Sequence, residues 1–169
     1  MKVEIMRAII IGWCLLLGMC LISQIRVQVQ NSRLPLAVVG AEAQSHFMAA
    51  TTRPGKLWRQ GQRALIGMRL LSGCALLAYG LILTFSTDYL DYLWLNALCI
   101  AALLGITVMA LLAISAFDTL RDLQQQSGLV FLAEQTITGT KIWAIFVWVL
   151  LGYATFGIGI WYSLNYFAF

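Results

Sequence analysis

Charge is what this sequence has least of: Asp, Glu, Lys and Arg together make up 11% of its 169 residues, against roughly a quarter in a soluble domain. So little charge cannot cover a water-facing surface of that size, and an ordinary water-soluble fold is excluded. Proline is scarce as well, at two residues, while 61% of the chain is hydrophobic. A chain so apolar has every reason to bury surface, which excludes intrinsic disorder. Histidine occurs once, at His46. A haem held by two histidines of one chain is thereby excluded, a protein-built metal site has too few ligands, and His46 reads as a plain loop residue.

The cysteines Cys14, Cys20, Cys74 and Cys99 include no pair at the two-residue gap of redox and zinc motifs. Cys14 and Cys20 lie about 1.7 turns apart on one helix and face different ways, so all four read as small core residues. Nucleophile-elbow, Walker-type and dinucleotide glycine motifs are missing. Gly139-Thr140-Lys141 has the residues of a phosphate loop in the wrong order. These absences lead us to expect no catalytic residue, no cofactor and no metal. There is no internal repeat and no low-complexity tract.

What is present is four apolar runs, at residues 5–23, 64–85, 93–115 and 142–162. The first, Ile5 to Ser23, has about 19 positions and reaches roughly 28 Å as a helix, close to the hydrocarbon thickness of a bilayer. A cleaved signal peptide is the rival for it, since Lys2 and Arg7 precede a Leu-rich stretch and Ala41-Glu42-Ala43 resembles a small-residue cleavage site. Arg26, Arg33 and Pro35 separate the two too widely for that reading. The last run carries Trp143, Trp148, Tyr153, Trp161 and Tyr162, with aromatics near both ends as at a headgroup interface. A bilayer offers no partner for a free backbone group, and period-2 alternation is lacking, so each run reads as a helix. The expected fold is an all-α integral membrane protein, one membrane domain over 1–169. It has about four transmembrane helices and one extramembrane segment of about 40 residues after the first.

Within that segment, Ile25 to Gln30 alternates apolar and polar residues and reads as a short strand. Leu36 to Ala50 reads as a short helix, and Arg53-Pro54-Gly55 as a turn. From Lys56 the chain runs helically into the second span, with Lys56, Arg59, Gln60 and Arg63 on one side. That basic lead-in is either a solvated, snorkelling helix end or a docking site for lipid or protein. The third span is expected to continue until Ser127-Gly128 stops it. Leu129 to Glu134 reads as a short surface run, and 138–141 as a loop.

Orientation follows from the cations. Arg26, Arg33, Arg53, Lys56, Arg59, Arg63, Arg121 and Lys141 fall on one side, against Lys2 and Arg7 on the other. By the positive-inside rule, segments 24–63 and 116–141 are cytoplasmic and both termini lie outside, in the inner membrane of the cell. The net charge of +4 then suits anionic lipid at the cytoplasmic face and requires no nucleic acid.

Arg69 is the one charge inside the second span, near its cytoplasmic start. It either snorkels to the headgroups or pairs with a group from outside the chain, because the four runs contain no Asp or Glu. Arg69, Arg59 and Arg63 are therefore the candidate contacts for a lipid or a partner's charge. Asn96 and Asn165 lie near helix ends, and without buried ionisable groups along a path a proton relay or coupled transporter is not expected. Small residues recur at four-residue spacing: Ala97, Ala101 and Gly105; Gly159 and Ser163; Ala8 and Gly12; Gly80 and Thr84. Such ridges let helices approach closely, and Ala97, Ala101, Gly105, Gly159 and Ser163 are the candidate helix–helix contacts.

Function is read by elimination as a non-enzymatic inner-membrane subunit packed against the helices of other membrane proteins in a larger complex. Secretion, conjugation, respiratory and light-harvesting assemblies all use such subunits, and nothing in the sequence chooses among them. The competing reading is a small homo-oligomeric channel or transporter lined by Thr107, Ser115 and Ser72, with Arg69 selecting anions. A third is a membrane immunity or exclusion protein.

Overall fold

The structure is a computed structural model that describes residues 2–33, 51–85, 89–128, 131 and 136–166. It contains four long helices: α1 Lys2–Arg33, α2 Arg53–Phe85, α3 Tyr89–Ser127 and α4 Gly139–Tyr166. Each holds a stretch long and apolar enough to cross a membrane.

Helix ends differ from the sequence reading in three places, each for a local reason. The alternating stretch from Ile25 to Gln30 is not a strand but the continuation of α1. No partner strand pairs with it among the described residues, and its backbone is satisfied within the helix. Arg53-Pro54-Gly55 is not a turn but the first turn of α2. The Thr52 hydroxyl accepts from the Gly55 N–H at 3.3 Å, and the Thr52 carbonyl accepts from the Lys56 N–H at 3.0 Å. Proline is tolerated there because a first-turn N–H has no intrahelical acceptor to lose. The loop expected over 138–141 is the start of α4, whose Lys141 and Ile142 amides donate to the Thr138 carbonyl. As expected, Gly128 ends α3 in the left-handed conformation, at φ 63°, which glycine adopts without a Cβ clash. The short helix expected over Leu36 to Ala50 lies outside the described residues, as does most of 129–134.

Sequential helices run antiparallel. Arg7 at the start of α1 lies against Leu83 at the end of α2, and Gln28 against Gln62. Gly61 faces Phe117, and Gly105 faces Leu71. Asn96 and Thr107 of α3 meet Ser163 and Tyr153 of α4. α2 is the centre of the bundle, packed along α1 and α3, while α4 packs on α3. Close approach depends on absent side chains: a Cβ on Gly61 would come 2.6 Å from the Phe117 ring, and one on Gly73 would come 2.8 Å from Ile22. The core runs the length of the bundle through Leu120, Ala113, Ile106, Cys99 and Leu95 of α3 and Leu83, Tyr79 and Leu76 of α2. Outside, Trp94, Trp143 and Trp161 stand exposed toward the helix ends, the levels where indoles favour a bilayer interface. The chain is thus a helical protein with four helices able to span a membrane.

Candidate functional site

The ends of the helices that carry Arg26, Arg53, Lys56, Arg59, Arg63, Arg121 and Lys141 gather on one side, the basic end of the bundle. Because α1 continues past Ser23, it places Gln28 beside α2 at this end. Arg69 Nη1 donates to Gln28 Oε1 at 2.9 Å, and Gln28 Nε2 donates in turn to Gln62 Oε1. Gln62 is only 7% exposed. Successive donation in one direction polarises each amide and strengthens the next bond. Arg69, half-buried, is thereby held toward the polar edge of the bundle, the direction in which a long cationic side chain snorkels.

Arg69 also borders an apolar groove. α1 packs on α2 and α4 on α3, and the groove left between α1 and α4 holds two adjoining cavities of about 410 and 210 Å³. Trp13, Leu76, Leu151, Thr155 and Phe156 line both. The larger extends to Ile9 and Ile158, and the smaller reaches Leu21, Ser72 and Arg69. The groove is apolar along its length and cationic at one end.

The remaining cross-helix hydrogen bonds fix α4. The Tyr79 hydroxyl, on a residue 2% exposed, donates to the Gly159 carbonyl at 2.9 Å. Thr107 donates to the Leu103 carbonyl and shares a 2.7 Å bond with the Tyr153 hydroxyl. The Ser163 hydroxyl hydrogen-bonds Asn96 Oδ1. At the basic end, buried Gln124 Oε1 accepts from the Ile137 N–H at 3.0 Å and ties the α3–α4 connection to α3. At the opposite end, Arg7 Nε donates to the Leu83 carbonyl at 3.0 Å, with Nη2 reaching the same oxygen and that of Thr84. A cation there satisfies carbonyls that the helix end leaves open and complements its dipole.

The sequence candidates separate. Arg69 does not join Arg59 and Arg63, which with Lys56 lie exposed on another face of α2, over Met109 and Leu112. Gly105 meets Leu71, and Gly159 and Ser163 are buried in the bonds just described, whereas Ala97 and Ala101 are exposed on the outer face of α3. Ser72 lines the groove, Thr107 sits on the α3–α4 seam, and Ser115 is exposed, so the three polar side chains do not share a surface. Cys14 and Cys99 are buried, Cys20 and Cys74 exposed. His46 lies outside the described residues, among which no cluster of three or more metal-ligating side chains occurs.

Sequence reasoning missed Gln28, Gln62 and the groove. The amides had a usable signal: polar residues flanking an apolar run at its entry and at the neighbouring run's exit are placed to meet when the helices are antiparallel. Protein-family models, curated proteins and solved structures give no match to this chain.

Proposed function

We propose that this chain is a non-enzymatic, multi-pass subunit of the inner membrane that packs against the helices of other membrane proteins in a larger complex. One observation carries the reading: Ala97, Ala101, Leu104, Val108 and Leu111 recur at helical spacing along α3 and are exposed. The two alanines leave room for a partner's backbone, and the larger residues continue the same face. Helices in lipid associate by such close packing rather than by hydrophobic exclusion. Gathering of the cations at one end supports an orientation with that end cytoplasmic and both termini outside.

Purification of the full chain in mild detergent tests the proposal. Other membrane proteins should co-purify reproducibly, and Ala101→Trp should lose them while thermal unfolding of the chain itself stays within about 0.5 kcal/mol, as for surface changes. A closed ring of identical chains would support a channel instead, and a lone monomer in every detergent would oppose both.

A further inference from the structure

We propose that the groove between α1 and α4 binds one anionic phospholipid, its phosphate at Arg69 and one acyl chain laid along the groove toward Ile9 and Ile158. The inference rests on the chain's lying in a membrane and does not require partner subunits.

Shape comes first. From Leu21 to Ile9 the groove follows α1 for about 18 Å, a little more than half of the ~30 Å hydrocarbon core. That is the reach of an acyl chain within one leaflet. Its walls are apolar, with Trp13, Leu76, Leu151 and Phe156 present along both cavities. A chain lying there would be enclosed on three sides by α1, α2 and α4, unlike the annular lipid on the exposed face of α3.

Charge then selects the occupant. Arg69 stands about 8 Å into its apolar run, counted from Ala64 at the helical rise, and a cation at such depth is costly unless neutralised. Its described hydrogen bond goes to an uncharged amide, Gln28 Oε1. A guanidinium has five N–H donors, so it retains capacity for a phosphate. A neutral amphiphile would leave the charge uncompensated. A second copy of this chain would too, because no Asp or Glu lies in any of the four apolar runs. Asp118, the nearest acid along α3, follows Phe117, which packs on Gly61, about 12 Å along α2 from Arg69 toward the basic end. The bond to Gln28 holds the guanidinium toward that same edge, where the phosphates of a leaflet lie.

The test uses the full chain in detergent and titrates phosphatidylglycerol against phosphatidylcholine of the same acyl composition, read by native mass spectrometry. Phosphatidylglycerol should bind about tenfold more tightly, because it brings a net negative charge to Arg69 whereas the choline ammonium of the other lipid already neutralises the same phosphate. Arg69→Gln should erase that preference, whereas Arg59→Gln should keep it. Equal binding of the two lipids, or a preference that survives Arg69→Gln, would overturn the proposal. So would oleate or a quinone displacing the phospholipid at equal concentration. Should Arg69→Gln not fold, wild-type chain in vesicles containing phosphatidylglycerol with a photoreactive acyl chain decides the matter. Label should concentrate on Trp13, Leu151 and Phe156 over the outer-face residues Leu104, Val108 and Leu111. Uniform labelling would contradict the site.

Discussion

The Tyr79 hydroxyl donates to the Gly159 carbonyl across 2.9 Å, joining α2 to α4 at the floor of the groove that separates α4 from α1. The bond is possible because residue 159 has no side chain, since a Cβ there would lie 3.2 Å from the Tyr79 hydroxyl and ring. Tyr79→Phe removes one interhelical hydrogen bond. It should cost about 0.6 kcal/mol, and no more than about 1.7, the span found for such bonds between membrane helices. Gly159→Ala should cost at least as much by pushing the ring aside. Unfolding of both variants in mixed micelles checks this.

The α1–α2 seam gives a graded series. Gly73→Ala places a methyl 2.8 Å from Ile22 Cγ1 and 3.3 Å from the Gly18 carbonyl, whereas Gly12→Ala meets nothing within 4 Å. Overpacking should cost the first about 1 to 3 kcal/mol. The second should be neutral or gain up to about 1 kcal/mol of helix propensity. Thermal unfolding of the two variants side by side would show the difference.

Gln28→Leu should be worse than Gln62→Leu. The first leaves the Arg69 guanidinium without its described acceptor as well as orphaning the Gln62 amide, and hydrogen bonds to charged groups are worth about 1.5 to 3 kcal/mol. The second removes only the far member of the relay. A double-mutant cycle between positions 28 and 69 should return a coupling of at least 0.5 kcal/mol.

Gln124→Leu should loosen the connection into α4. The Ile137 N–H would lose its acceptor in a buried position, a penalty of about 1 to 3 kcal/mol. Hydrogen exchange at the Ile137 amide should accelerate while exchange in the middle of α3 stays unchanged.

These sites bear on how much was legible in the sequence. The four helices were, because bilayer-length apolar runs with no alternation admit no other regular backbone. So was the stop at Gly128, where a glycine follows the last polar turn. The continuation of α1 was not: the β-branched alternation around Val27 is a real local preference, but the Gln28 contacts with Arg69 and Gln62 on α2 are tertiary and outweigh it. The groove was hidden for a different reason. A helix apolar on every side does not announce which side packs, so Trp13 and Leu151 could not be told from lipid-facing residues. Arg69 stood out by its charge alone, and its depth, but not its neighbours, could be read from spacing.

A reporter active only in the cytoplasm, fused in turn after Ala50, Asp88 and Thr136 of the full chain expressed in bacteria, tests most directly that these helices cross a membrane in the proposed sense. The account predicts activity after Ala50 and Thr136 and silence after Asp88. Equal activity at Ala50 and Asp88 would mean that α2 does not cross, and the inverse pattern would mean that the basic end faces outward; either result would contradict it.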